Sequence, residues 1–306
     1  MSDRQPAVAL IGIDWGTTNR RAWAFDHAGR VIDSRADGEG LLKVDRREFR
    51  QAFARLVEGW RDEPVPVLMC GMVGSKLGWV EAPYLFTPAG LDKIGSELAQ
   101  VPDVPAAWIV PGVCDLGGRE PDVMRGEECQ ILGGLAATGA PDAVFVLPGT
   151  HSKWAFVEDR KLVRFRTYMT GELFNLLTGS GTIAQLIEPG EHDAQAFRQG
   201  VSRSLDEGSA LLHSLFGART LPLLEKLARG SIASYLSGLL IGAEFGDAMR
   251  FTGADASLVG IGSPQLLENY RTAAELARIS LQELESGRVL PPALVAIARQ
   301  RGLLAP

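Results

Sequence analysis

Cysteine is scarce: Cys70, Cys114 and Cys129 are the only three in 306 residues. An odd count without paired metal-ligand spacing excludes a disulfide framework and a structural zinc site, and leaves three small apolar side chains for the interior. No apolar run approaches the roughly 18 residues of a membrane helix, and the polar start, Met1 to Pro6, lacks the form of a secretory leader. A cytoplasmic protein without membrane contact is therefore expected. Blocks of like charge are also missing. The net charge of −6 contains no basic stretch, which argues against a nucleic-acid surface and means that an anionic ligand must be held by local groups. Three enzyme signatures are absent. Gly71-Met72-Val73-Gly74-Ser75-Lys76 lacks P-loop spacing, protein-kinase loops are missing, and no G-x-S-x-G elbow accompanies the serines and histidines.

What is present is an α/β pattern. Hydrophobic residues make up 46% of the chain, enough for sizeable cores, and the length suggests two domains. Val8 to Asp14 reads as a strand ending in an acid, followed by Trp15-Gly16-Thr17-Thr18 and a second strand, Asn19 to Phe25. A third strand is expected at Arg30 to Ala36 and a helix at Asp45 to Trp60. Val65 to Met69 and Ala106 to Val110 read as buried strands, and Glu127 to Thr138 as a helix closed by Gly139. Ala143 to Leu147 then restarts the opening pattern. It runs into Pro148-Gly149-Thr150-His151-Ser152, a strand at Lys153 to Val157, a turn at Glu158 to Arg160 and a strand at Lys161 to Tyr168. Such an echo predicts two related lobes, residues 1–138 and 139–306, whose glycine turns face each other. The second lobe continues with helices at about Gly171 to Ile187, Asp193 to Leu215 and Leu221 to Phe251, then a strand at Ser257 to Ile261. A last helix, 291–303, is expected to pack back on the first lobe.

Four constellations could carry chemistry. In Asp14-Trp15-Gly16-Thr17-Thr18-Asn19, glycine permits a tight turn that leaves N–H groups and hydroxyls for phosphate oxygens, while Asp14 could hold Mg²⁺ through water. The same residues also read as an ordinary hairpin turn. Gly149-Thr150-His151-Ser152 is the counterpart in the second half, with His151 either a phosphate ligand or a structural donor. Val259-Gly260-Ile261-Gly262-Ser263 joins a strand to a helix and could let backbone approach an adenosine; alone it is just a strand-helix turn. In Arg125-Gly126-Glu127-Glu128 an acid opens a helix, where it could accept a hydroxyl proton or simply complement the helix dipole.

In this order, the first, second and third of these motifs resemble the two phosphate motifs and the adenosine motif of the actin/hexokinase/heat-shock ATPase superfamily. That resemblance implies two ribonuclease H-like (actin-like ATPase) α/β lobes with an interlobe cleft. Larger carbohydrate kinases of the superfamily place a Gly-Asp-Gln-Gln base motif where Gly126-Glu127-Glu128-Cys129 falls, so Glu127 stands for the aspartate. More closely, Ile13 to Asn19, Cys70 to Ser75, Met124 to Glu128, Pro148 to Lys153 and Thr170-Gly171-Glu172-Leu173-Phe174 resemble the 2-keto-3-deoxygalactonokinase family over nearly the whole chain.

The resemblance implies ATP- and Mg²⁺-dependent phosphorylation of 2-dehydro-3-deoxy-D-galactonate at its terminal (6-) hydroxyl in galactonate catabolism. Alternatives are another sugar or sugar acid, or a non-catalytic ATP-binding regulatory module. Glu127, Asp14 and Arg125 are the implied catalytic residues. Gly16, Thr17, Thr18, Asn19, Gly149, Thr150, His151, Ser152, Gly260, Gly262 and Ser263 are the implied nucleotide ligands. Gly71, Met72, Val73, Gly74, Ser75 and Glu172 are expected around the sugar, with Arg21, Lys76 or Arg125 pairing its carboxylate. Gly238 and Gly242 are expected to permit close helix packing, and Glu244 is a further candidate adenine contact. A small-molecule acceptor is the expected partner, and the oligomeric state is not legible.

Overall fold

A computed structural model describes residues 7–61, 64–102, 104–207, 210–252 and 258–305. The early elements are β1 (Leu10–Trp15), β2 (Arg20–Phe25), β3 (Val31–Asp37), α1 (Phe49–Leu56), β4 (Val67–Cys70), β5 (Tyr84–Phe86), α2 (Leu91–Ser96), β6 (Ala99–Gln100), β7 (Ala107–Ile109), β8 (Gly112–Asp115), β9 (Asp122–Met124) and α3 (Glu127–Thr138). The restarted pattern gives β10 (Ala143–Leu147), β11 (Ser152–Glu158), β12 (Lys161–Tyr168), α4 (Thr170–Gly179), α5 (Gly181–Ala184), α6 (Ala194–Glu207), α7 (Leu211–Leu223), α8 (Ile232–Ala248), β13 (Leu258–Gly262), α9 (Pro264–Leu276) and β14 (Leu281–Glu285). Helix α10 (Ser286–Gln300) follows. The chain divides into two compact units, one of Met1–Asp142, Val157–Phe165 and Ser286–Pro306, the other of Ala143–Phe156 and Arg166–Glu285. The division is thus discontinuous, where the sequence pattern suggested one cut near Thr138.

The first unit is built on a six-stranded sheet in the order β3-β2-β1-β4-β7-β6, with β1 antiparallel to β2 and parallel to β4. Period-two alternation along β1 sends Ile11, Ile13 and Trp15 to one face and Leu10 to the other. The first face meets α1, whose buried Phe49, Ala52, Phe53 and Leu56 recur at helical spacing. The second face meets α10 through Leu290, Leu294 and Ile297, and α10 also packs on α3. Glycine at position 12 makes room for that approach, because a Cβ there would lie 2.8 Å from Leu294 Cδ1 and the side chain would have to shift. A small sheet, β5-β8-β9, completes the unit.

A five-stranded sheet repeats the order in β12-β11-β10-β13-β14, with β10, β13 and β14 parallel. Asp159 and Arg160, both at positive φ (47° and 60°), make the two-residue turn between β11 and β12. Beside this sheet α6 crosses α8 at glycines: a Cβ at Gly238 would sit 2.1 Å from the Phe197 carbonyl oxygen, and one at Gly242 2.7 Å from that of Val201. The packing role expected for Gly238 and Gly242 is the one they have.

Several boundaries differ from the sequence pattern. The helix expected over Gly171 to Ile187 breaks at Ser180, because Gly181 adopts φ +84°. The helix expected from Leu221 begins only at Ile232, after Glu225 turns to φ 56° and Arg229–Ser231 forms a 3₁₀ turn. Helix α10 starts five residues before Pro291, so that proline is interior instead of initial. Ser257 lies outside the described residues.

Candidate active site

In the first unit, Asp14, the penultimate residue of β1, lies directly opposite Arg21 of β2. Its Oδ2 accepts from Arg21 Nη2 at 2.7 Å and Nε at 3.2 Å, while Arg21 Nη1 donates to Ser286 Oγ at 3.4 Å. Arg21, one of the three cations expected to meet a substrate carboxylate, is thereby engaged by Asp14. Arg20, one residue earlier and on the opposite face, is buried and donates to Asp37, Glu39 and the Ala52 carbonyl.

The Gly16–Asn19 turn closes with Gly16 N–H donating to the Asn19 carbonyl at 3.0 Å. Its outward carbonyls are consumed by a segment that the sequence reading passed over. The N–H groups of Gly40, Leu41 and Leu42 donate to the Thr18, Gly16 and Thr17 carbonyls, and a Cβ on Gly40 would lie 2.5 Å from the Thr17 oxygen. Thr17, Thr18 and Asn19 are left exposed. The turn presents hydroxyls and an amide, with its carbonyl oxygens turned away from any anion.

Gly71 lies against Asp14, and Gly126 lies against Gly71. Gly71 (φ +90°) follows β4; a Cβ there would lie 2.8 Å from the Trp15 carbonyl oxygen and 3.3 Å from Asp14 Oδ1. Gly126 (φ +106°) precedes α3, and its Cβ would lie 3.1 Å from Gly71 Cα. Side chains in these left-handed positions would close the gap beside the carboxylate. Beyond Gly126, Glu127 Oε2 accepts from Arg125 N–H at 3.1 Å and Glu128 Oε2 from Gly126 N–H at 2.7 Å. Glu127 is half-buried and Glu128 fully buried. Burial, then the neighbouring Glu127 charge, raises the Glu128 carboxyl to about 7.

The loop after Gly71 separates into two roles. Val73 is buried in the core with α1, and the half-buried Met72 packs against that core. Gly74 and Ser75 lie beside Arg125, where a Cβ on Gly74 would be 3.0 Å from Arg125 Nη1, and Lys76 is exposed.

In the second unit, the Gly149–Thr150 turn is backed by α4. Glu172 N–H donates to the Thr150 carbonyl at 2.9 Å, and Gly171 is so close that a Cβ would lie 2.4 Å from the Gly149 oxygen. His151 Nε2 and Glu172 Oε2 are 2.5 Å apart in an exposed pair, so each of these two candidates is held by the other. Ser152 departs from expectation. Its side chain is fully buried, with the hydroxyl donating to Glu244 Oε1 at 2.6 Å and accepting from Tyr270 at 3.1 Å, so the hydroxyl is engaged in the interior.

Glu244 likewise cannot touch an adenine. It is buried and ringed by donors: Ser152, Trp154 Nε1 at 2.8 Å, Tyr270 at 2.8 Å and the Thr170 hydroxyl. It ties β11, α4 and α9 to α8. Burial raises its carboxyl and, more strongly, the Tyr270 phenol.

Gly260 and Gly262 are buried in β13. A Cβ on Gly260 would meet Leu267 Cδ2 at 2.9 Å, so that glycine serves the packing of α9 on its strand. Ser263 caps α9, accepting from Leu266 N–H at 3.4 Å. The concavity lies one step away, as a cavity of about 400 Å³ among Gly149, Gly171, Ser234, Ser237, Gln265 and Asn269. These α8 and α9 polar residues were not singled out from the sequence, because nothing in their spacing distinguishes them from a solvated helix face.

The family model for 2-keto-3-deoxy-galactonokinase matches residues 14–297. The chain belongs to that family. A 2-dehydro-3-deoxygalactonokinase of Escherichia coli K12 is 38% identical over 265 residues, 86% of this chain and 88% of the relative. A solved Sinorhizobium meliloti structure, assigned to the same kinase, superposes with a TM-score of 0.89 at 32% identity, covering 95% of this chain and 98% of the other. At 11% identity and a TM-score of 0.52, an activator of 2-hydroxyisocaproyl-CoA dehydratase from Clostridium difficile shares the fold, over 96% of each chain. The galactonokinase family match and these likenesses agree with the α/β, actin-like ATPase architecture.

Proposed function

We propose that this chain transfers the γ-phosphoryl group of ATP to the terminal (6-) hydroxyl of 2-dehydro-3-deoxy-D-galactonate, as an enzyme of galactonate catabolism in the cytoplasm. Among the described residues, no helix is long and apolar enough to cross a membrane. The observation that carries the reading is the convergence of Asp14, Gly71 and the Arg125-Gly126-Glu127 turn at one point of a galactonokinase-family chain.

The second unit takes the nucleotide in its 400 Å³ cavity, with backbone and hydroxyl of Gly149 and Thr150 toward the phosphates. Gln265 and Asn269 supply amide groups in the same cavity. The first unit takes the acceptor. Thr17, Thr18 and Asn19 offer donors to phosphate oxygens, and Glu127 accepts the proton of the attacking hydroxyl. Asp14 fits magnesium: Arg21 occupies Oδ2, Oδ1 faces the glycine-lined gap, and this ion takes few carboxylates and keeps its waters. When bound, Mg²⁺ neutralises charge on the transferring phosphate.

ADP release, measured with a panel of sugars, keto-deoxy acids and no acceptor, tests this. The expected result is release that depends on 2-dehydro-3-deoxygalactonate. Equal release without acceptor, or a strict preference for a neutral sugar, overturns it.

A further inference from the structure

We infer that Arg125 is the anchor for the acceptor's carboxylate, and so the residue that selects a sugar acid over a neutral sugar; the inference rests on the kinase reading above. Arg125 is 7% exposed. Its Nη2 donates to the Ala82 carbonyl at 2.8 Å, and its guanidinium lies 4.4 Å from the centroid of the Tyr84 ring. Among the described residues, its Nε and Nη1 meet no acceptor, although both atoms are buried. Donors of a permanently charged group left unmet below the surface are costly, and an anion from outside the chain removes that cost.

A second orphan belongs to the residue that follows Gly74, the glycine packed on Arg125. Ser75 Oγ is buried and also without a partner among the described residues. Gly74 is the spacer: it precedes Ser75, and a Cβ on it would approach Arg125 Nη1 to 3.0 Å. A guanidinium edge and a hydroxyl flanking one glycine make a donor set that matches a carboxylate, with the planar fork setting its orientation. The Tyr84 ring lies against the guanidinium in a cation–π contact.

The other cations are less suited. Arg21 is engaged by Asp14 and Ser286, and Lys76 stands exposed one residue beyond Ser75, where water screens it. Position relative to the base also agrees. Arg125 N–H holds Glu127 Oε2 at 3.1 Å, so anchor and base leave the chain two residues apart. The acceptor needs one group at each end of a six-carbon chain, a cation for the carboxylate and a base for the terminal hydroxyl.

The test compares 2-dehydro-3-deoxygalactonate with its methyl ester, which keeps the reacting hydroxyl and loses the charge. Wild type should favour the acid, and Arg125→Gln should cut kcat/KM for the acid by roughly 10- to 100-fold through KM. Activity on the ester and the KM for ATP should change less than about threefold, and Arg125→Lys should restore part of the acid preference. Ser75→Ala, read in the same assay, carries the test if Arg125→Gln does not fold, with a smaller loss confined to the acid. Equal losses on acid and ester through kcat would place Arg125 on the phosphoryl group and overturn the inference. So would a wild type that needs the 2-keto-3-deoxy skeleton yet treats acid and ester alike. Absence of ADP release with either compound would instead bring down the kinase reading, and this one with it.

Discussion

Glu127 and Glu128, adjacent at the start of α3, fold back onto successive peptides: Glu127 accepts from the Arg125 N–H and Glu128 from the Gly126 N–H. Two neighbouring carboxyls thus sit against a left-handed glycine, one half-buried and one fully enclosed. The enclosed one is costly to ionise, whereas the other, half-buried, is the proposed acceptor of the substrate proton. Their substitutions should therefore separate chemistry from stability.

Glu127→Gln keeps the size and the backbone hydrogen bond but cannot accept a proton. A loss in kcat of about 10² to 10⁴ is expected, with the affinity for ATP unchanged. Single-turnover ADP formation and isothermal titration with ATP measure the two halves. Near wild-type turnover would remove Glu127 as the base.

Glu128→Gln mimics the neutral carboxyl. In the wild type, the folded-state carboxyl at about 7 lies above its ordinary 4.5, so its contribution to stability is complete below about 4.5 and declines as pH rises through 7. The full loss is on the order of 3 kcal/mol. Thermal melts from pH 5 to pH 8.5 should fall for wild type and be flatter for Glu128→Gln; parallel curves would refute this.

Glu244→Gln turns an amide NH₂ toward Ser152, Trp154, Thr170 and Tyr270, which between them offer donors to that site. One or more of these bonds is lost, at about 1–3 kcal/mol. The melting temperature should drop by several degrees. Because Ser152 follows the Thr150 turn directly, KM for ATP should rise as well, and steady-state kinetics at saturating acceptor reads that change.

Gly171→Ala introduces a Cβ 2.4 Å from the Gly149 oxygen, whereas Gly179 in the same helix has open space around it. The first substitution should raise KM for ATP about tenfold or more by displacing the Gly149–Thr150 turn. Gly179→Ala should leave kinetics unaltered. Similar values for both variants would detach that turn from nucleotide binding.

Much of the frame was legible because local signals agreed. Acids in the first turn of α3 and a left-handed Gly139 (φ 70°) at its end bound Glu127–Thr138 correctly. Repetition of strand, Gly-Thr turn, strand, turn and strand predicted two related lobes, and the two sheets share one strand order. The sites were less legible. Ser152 shares a polar stretch with Thr150, yet one residue of strand alternation takes it into the interior, where its partner is 92 positions away. Arg125 was visible as a cation but not as a buried one. Its surroundings come from Gly74, Ala82 and Tyr84, on a loop whose path no periodicity encodes. Gly260 fits a nucleotide motif by order, whereas its lack of a side chain accommodates Leu267.

Gly12 and Leu294 join the opening strand to a helix from the far end of the polypeptide. During synthesis from the amino terminus, the Leu10 and Leu68 face of the first sheet has Ile94 of α2 and Cys129 of α3 for company, and lacks the Leu290, Leu294 and Ile297 part of its cover until residues 286–300 leave the ribosome. A nascent chain stalled before that point carries an incompletely covered apolar sheet, a surface for chaperones or for aggregation, however well its second half has already folded.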